Sequence, residues 1–196
     1  MGGDNPTKFK VTHSPISSIT SIPSSPDTAN KTFFLHATNC LGVWGTGIAK
    51  ALREQFPDAF EADRQSCREG CPPGEHPGAD ELDALVGTCY VIPTNVISKA
   101  APFSIVCLRT SRGYGRQSAG QAGLDNKDVV LEQTRWALQD FRAQLEELGK
   151  ERQKEFVVWS PQINSGGFHI PWERTEEMIE DVFEGWEGKW FVMSPP

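Results

Sequence analysis

Two glycine-rich segments have the composition best suited to binding a phosphate. The first, 42–47, reads Gly-Val-Trp-Gly-Thr-Gly, and the second, 164–168, reads Asn-Ser-Gly-Gly-Phe. Glycine lets the backbone approach a ligand closely, and free N–H groups at the start of a helix attract an anion. Each segment lies between an apolar run and a helical pattern. One such loop alone is also explained by a turn that needs glycine, whereas two predict opposite walls of a cleft for a diphosphate.

Side chains capable of further chemistry lie next to these loops. Asn39 offers a donor and an acceptor to a sugar hydroxyl, and His36 titrates near neutral pH and is a candidate for proton transfer. The alternative for His36 is a buried histidine bonded to a neighbouring strand. A third segment, 110–116, carries two arginines, a tyrosine and two glycines. It is interpreted as a lid in which an arginine meets a phosphate, or as a solvated surface turn.

Other kinds of site fit the sequence poorly. No Gly-Lys-Ser/Thr follows 42–47, and its glycines are not spaced as in the dinucleotide fingerprint. Cys67, Cys71 and His76 resemble the start of a zinc site, but the second ligand pair of a structural site is missing. The five cysteines are odd in number and irregular in spacing, which is typical of reduced thiols. We therefore predict no metal and no cofactor.

The elements that position these segments alternate between strand and helix patterns. Strands are predicted at 8–12, 33–38, 86–92, 105–110, 156–159 and 189–193, and helices at 48–56, 58–68, 127–148 and 172–183, with Gly149 as the C-cap of the third helix. The pattern predicts a single α/β domain over 1–196, a three-layer α/β/α sandwich with a mixed, mainly parallel sheet. Two segments interrupt it: a Ser/Pro-rich irregular excursion at 17–30 and a loop insertion at 70–84.

Charge and hydropathy limit the partners that we expect. Lys plus Arg is 19 and Asp plus Glu is 26, which gives a net charge of −7 and disfavours nucleic acid. No apolar run approaches the ~20 residues of a membrane helix, so no membrane association is expected. The first residues lack the basic and apolar pattern of a signal peptide. We expect a cytoplasmic protein, with the nucleus as a second compartment.

Three stretches of the chain resemble a macrodomain. They are His36–Ala49, which contains Trp-Gly-Thr-Gly-Ile-Ala, then Ser160–Gly166 and Pro171–Glu173. The closer match is the fungal ADP-ribose 1″-phosphate phosphatase branch, whose first loop has a similar run. The resemblance spans most of the chain from Lys8 onward. It implies an ADP-ribose cleft and a metal-independent phosphatase that removes the 1″-phosphate from ADP-ribose 1″-phosphate, a by-product of tRNA splicing.

The resemblance also implies roles for individual residues. His36 and Asn39 are the expected catalytic residues, for proton transfer and for positioning water or the distal ribose. The first and second loops are expected to hold the two sides of the diphosphate. The full set of expected ligand-binding residues is Ser14, Ile16, Ala37, Thr38, Asn39, Gly42, Trp44, Gly45, Thr46, Gly47, Ile48, Ala49, Thr110, Gly113, Tyr114, Asn164, Ser165, Gly166, Gly167 and Phe168.

Two departures from the family pattern keep alternatives open. Pro15 stands where the family has Asp or Asn after a glycine, so it offers no group for the adenine amino group. Phe168 stands where the branch that removes ADP-ribose from glutamate has its acid, which disfavours that hydrolase chemistry. A non-catalytic reader of ADP-ribose or of mono-ADP-ribosylated proteins predicts the same cleft as the phosphatase.

Overall fold

The computed structural model describes residues 8–23, 25, 27–72, 75–97, 103–118, 121–152 and 155–195. Within these residues, six strands form one sheet and five helices pack around it. The strands are β1 (Thr12–Ser14), β2 (Thr32–Asn39), β3 (Cys89–Ile92), β4 (Ser104–Ser111), β5 (Val157–Ser160) and β6 (Lys189–Met193). The helices are α1 (Gly47–Gln55), α2 (Pro57–Cys67), α3 (Ala79–Leu85), α4 (Lys127–Arg152) and α5 (Trp172–Val182).

The sheet has the order β1-β6-β5-β2-β4-β3. Every neighbouring pair is parallel except β3 and β4, which are antiparallel at one edge of the sheet. The carboxyl ends of five strands therefore lie along the same side. In parallel sheets this is the side at which ligands bind.

Alternating side chains of β2 face two different cores. Phe33 and Leu35 pack with α4 and α5, whereas Phe34 packs with α1 and the start of α2. The strand is almost wholly buried, which explains why Phe33, Phe34 and Leu35 are consecutive apolar residues rather than alternating with polar ones. Helices cover both faces of the sheet, and this confirms the predicted three-layer α/β/α sandwich. No helix in the described part of the chain is both long enough and apolar enough to cross a membrane.

The first strand begins later than the alternation at 8–12 predicts. Thr12–Ser14 pairs with β6, whereas Phe9 lies before the strand and packs its ring against Phe183 and Trp186. The aromatic residue that suggested a strand therefore lies outside the strand and is nevertheless buried. The apolar pattern reported burial correctly and the element incorrectly.

Three other segments differ from their predicted form. Gly149 does not end α4, because its φ is not positive and the helix continues to Arg152. The insertion at 70–84 contains most of α3, whose Leu82 packs with Leu41. The excursion at 17–30 includes a 3-10 turn, and Ile19 and Ile22 are buried in the core beside α1. A few apolar residues, too widely spaced to predict a helix or strand, are therefore enough to pack these segments against the rest of the fold.

Candidate active site

Three loops leave neighbouring strands at the carboxyl side of the sheet. The first loop (40–46) follows β2, the second loop (161–171) follows β5, and the third loop (112–126) follows β4. Strand β2 lies between β5 and β4, and the parallel register with β5 pairs Phe33 with Val158. The two glycine-rich segments therefore leave adjacent parallel strands on the same side, as the sequence predicts.

Asn39 shapes the inner half of the first loop, residues 40–44. Its Oδ1 accepts hydrogen bonds from the backbone N–H of Leu41 at 3.0 Å and of Val43 at 3.4 Å, and its Nδ2 donates to the Val43 carbonyl at 2.8 Å. The side chain is 6% exposed. It was predicted to meet a ribose, and in the structure its amide group holds the loop that starts α1.

Helix α2 packs directly against the inner half of the first loop. Gly42 has φ +64°, and a Cβ built on it would lie 2.7 Å from the Cα of Arg64. The indole N–H of Trp44 donates to Asp63 Oδ2 at 2.9 Å, and the ring contacts His36 and Phe60 edge-on. Trp44 has no exposed surface. Its predicted contact with a ligand is thus limited to the backbone, while its side chain anchors the loop.

The outer half of the loop is exposed and has free donors. Gly45, Thr46 and Gly47 are exposed, and α1 begins at Gly47 with no side-chain cap from Thr46. Within the described residues, the N–H groups of Gly45 and Thr46 donate no backbone hydrogen bond. Orphan N–H groups and the positive end of the helix dipole attract an anion. Ile48 and Ala49 continue this first turn and are half-buried.

The second loop is held from below by Asn164. This residue has φ +65°, accepts from Thr110 at 3.2 Å and donates to Thr134 at 2.9 Å. The side chains of Asn164 and Thr110 are therefore committed to the protein. Above them Gly166 and Gly167 are exposed, and the buried Ser165 hydroxyl has no partner among the described residues. The exposed part of the loop therefore offers the backbone amides of Gly166 and Gly167.

Other predicted ligand residues lie at the same end of the sheet in different states of burial. Phe168 is half-buried against the α4–α5 core, and Ser14 ends β1 with its hydroxyl bonded to the N–H of Ile16 at 3.2 Å. Ala37 is half-buried, whereas the Thr38 hydroxyl donates to the Leu108 carbonyl at 3.1 Å. The hydroxyls of Ser14 and Thr38 are therefore committed to hydrogen bonds within the protein.

The third loop is anchored by Asp125, which sequence reasoning missed. Its carboxylate accepts from the Arg112 backbone N–H at 2.8 Å and from the Ser111 hydroxyl at 3.3 Å. The Arg112 guanidinium pairs with Asp83 of α3 at 2.6 Å and with Asp125 at 3.3 Å, so it is committed to ion pairs within the protein. A Cβ on Gly113 would lie 1.9 Å from the Ala122 carbonyl oxygen, which requires glycine there. Tyr114, at the loop surface, is 41% exposed.

Among the described residues, Cys67 is not part of a group of side chains that could hold zinc. Its thiol is buried 3.9 Å from Asp63 Oδ1, and Cys71 and His76 lie in the following segment. Among the described residues, no three His, Cys, Asp or Glu side chains are grouped to hold a metal ion.

His36 lies beneath the first loop with no exposed surface. Its Nε2 is 3.7 Å from Cys107 Sγ, and Nδ1 has no partner among the described residues. Burial lowers the pKa of His36 from 6.5 to about 3, so the imidazole is neutral at physiological pH. Its catalytic role stays a prediction.

The buried imidazole predicts a specific acid sensitivity. The unfolded chain binds a proton at this group below pH 6.5 and the folded chain does not until about pH 3, so stability is lost as the pH falls through that window. The slope from one such group is at most about 1.4 kcal/mol per pH unit. Urea unfolding from pH 7 to 4 should show a shallower decline for His36→Phe than for the wild type. Parallel curves for the two proteins would contradict the burial.

The sequence of this chain is similar to those of fungal proteins with a named activity. A protein from Neosartorya fischeri named ADP-ribose 1″-phosphate phosphatase is 34% identical over 168 residues, covering 76% of this chain and 81% of that protein. One of the same name from Scheffersomyces stipitis is 33% identical over 167 residues, covering 79% and 86%. No protein-family model matches the chain.

Solved structures show the same fold at low identity. The macrodomain of Thermus aquaticus DarG is 18% identical with a TM-score of 0.62, covering 95% of this chain and 98% of that one. Thermosipho africanus DarTG in complex with ADP-ribose is 14% identical with a TM-score of 0.57, covering 86% and 39%. The chain has the macrodomain fold, and by its sequence relatives it belongs to the ADP-ribose 1″-phosphate phosphatase family.

Proposed function

We propose that this protein binds ADP-ribose 1″-phosphate and hydrolyses it to ADP-ribose and inorganic phosphate. The observation that carries the proposal is the start of α1, which is exposed and has no side-chain cap. It follows β2, the strand that pairs with β5, and the second loop follows β5. The names of the fungal relatives support the substrate, and the bound ADP-ribose in Thermosipho africanus DarTG supports a cleft of this kind.

Main-chain amides supply the chemistry in this proposal. Phosphoryl transfer spreads charge over the equatorial oxygens of the phosphate, so donors fixed in advance lower the barrier without a covalent step. Removing one such donor in other enzymes costs about 3–4 kcal/mol. The amides of Gly45 and Thr46 and those of Gly166 and Gly167 are the donors that we assign to the substrate.

A non-catalytic reader is the second candidate. It is favoured by the burial of His36 and by Phe168, because the reader needs no acid or base. In that case the ligand is ADP-ribose or a mono-ADP-ribosylated protein. The ADP-ribosyl-glutamate hydrolase needs an acid where this chain has Phe168.

One experiment separates the three activities. The purified protein is incubated with ADP-ribose 1″-phosphate and, separately, with an ADP-ribosylated protein, and both phosphate and free ADP-ribose are measured. We expect phosphate release from the first substrate. Saturable binding without product would instead establish the reader, and ADP-ribose release from the modified protein would establish the hydrolase. A His36→Ala variant that keeps full turnover would remove His36 from the mechanism.

A further inference from the structure

Asp63 is a buried carboxylate behind the first loop. It lies in α2 and has no exposed surface. Its Oδ2 accepts the indole N–H of Trp44 at 2.9 Å, and its Oδ1 lies 3.6 Å from Nη2 of Arg109. Burial raises the pKa of Asp63, whereas Arg109 and the indole N–H favour the charged form. A carboxylate without such partners would be strongly unfavourable in the core.

Arg109 is itself fixed in place. It belongs to β4 and is 4% exposed. Its Nη2 donates to the Ser66 hydroxyl at 2.9 Å, and its guanidinium lies 5.5 Å from the ring centroid of Tyr90. The network of Trp44, Asp63 and Arg109 therefore joins the first loop to α2 and to a central strand.

The network ends one residue before the exposed donors. Trp44 is held on three sides by His36, Phe60 and Asp63, and the next residue, Gly45, begins the exposed half of the loop. Of these three contacts, only the one with Asp63 is a hydrogen bond. A hydrogen bond has a preferred direction, which ring packing lacks, so it fixes the orientation of the indole and of the backbone that carries it.

We propose that Asp63 is a positioning residue for phosphate binding, which holds the amides of Gly45 and Thr46 in place through the Trp44 indole while Arg109 compensates its charge. The substrate part of this inference rests on the proposed function. Asp63 touches no ligand in this role. It sets the geometry of the groups that do.

Two variants test the role, and a third is the matched control. Trp44→Phe removes the indole N–H and keeps an aromatic ring. Asp63→Asn removes the charge, so the hydrogen bond from the indole is weaker and Arg109 loses its ionic partner. Glu180→Gln neutralises another buried carboxylate, which lies in α5 on the opposite face of the sheet and is paired with Lys10. Each variant is first checked for a cooperative unfolding transition.

We expect both test variants to raise the Kd of ADP-ribose about tenfold by calorimetry. This rise is expected because ADP-ribose carries the diphosphate that the amides of Gly45 and Thr46 bind in the proposed function. In the ligand-free protein, hydrogen exchange of segment 43–48 should be about tenfold faster. Glu180→Gln should match the wild type in both measurements.

The inference is overturned if folded Trp44→Phe and Asp63→Asn keep wild-type affinity and exchange, or if Glu180→Gln changes both as much as they do. If Asp63→Asn does not fold, Trp44→Phe decides by the same two measurements. If the wild type does not bind ADP-ribose, the proposed function fails, and exchange in the ligand-free protein alone decides the role of Asp63.

Discussion

Replacing Gly45 with aspartate is expected to weaken ADP-ribose binding about 100-fold, or about 2.7 kcal/mol, without unfolding the protein. Gly45 is exposed, its φ is not positive, and a Cβ there would meet only Val43 Cγ1 at 3.8 Å. The site therefore tolerates a side chain. The carboxylate would lie beside the diphosphate, where two unit charges 4 Å apart repel by about 4 kcal/mol near a protein surface.

Gly45→Asn is the matched control for size and shape. It adds a neutral side chain of the same dimensions, so its affinity should fall much less than that of Gly45→Asp. Calorimetric titration of the three proteins at 50 and 300 mM salt measures the difference, which should shrink as salt screens the repulsion. Equal affinities for the aspartate and asparagine variants would show that the diphosphate does not bind at this loop.

The largest effect on stability is expected for Gly42→Ala, which should lower the free energy of unfolding by about 3 kcal/mol. A left-handed conformation costs an alanine about 1–2 kcal/mol, and overpacking adds about 1–3 kcal/mol. Both penalties apply here, because φ is +64° and the new Cβ would lie 2.7 Å from the backbone of Arg64. The backbone of α2 cannot move away as a flexible side chain would.

Gly47→Ala separates the two contributions. Gly47 has φ +54°, but a Cβ there has nothing within 4 Å. We expect it to cost only the backbone strain, about 1 kcal/mol. Urea unfolding of both variants measures the difference. Similar losses at the two positions would contradict the close packing of α2 against the first loop.

Much of the fold follows from the sequence pattern alone. The apolar runs of β2 and β4 predict buried strands, and Ile48, Leu52 and Phe56 at helical spacing predict α1 within one residue of its observed start. Their order along the chain is enough for a parallel sheet with helices on both faces. The alternation at 8–12 predicted a strand that starts too early, because Phe9 is buried although it lies before β1. Periodicity indicates which residues are buried but not which element they belong to.

The site was less predictable than the sheet. The positions of the loops follow from the strands, but the partners of Asn39 and Asn164 depend on contacts between segments far apart in sequence. Spacing also could not show that the His36 ring faces Trp44 rather than solvent. Asp63 did leave a signal. It shares a helical stripe with Ala59 and Cys67, and an acid on a buried stripe is a candidate for a structural charge.

Backbone amide resonances give the most direct test of the account. In a ¹H–¹⁵N titration with ADP-ribose, the amides of Gly45 and Thr46 and those of Gly166 and Gly167 should shift together, with one binding constant. Shifts confined to a single loop, or centred on the outer faces of α4 and α5, would show that the two loops do not hold one pyrophosphate between them.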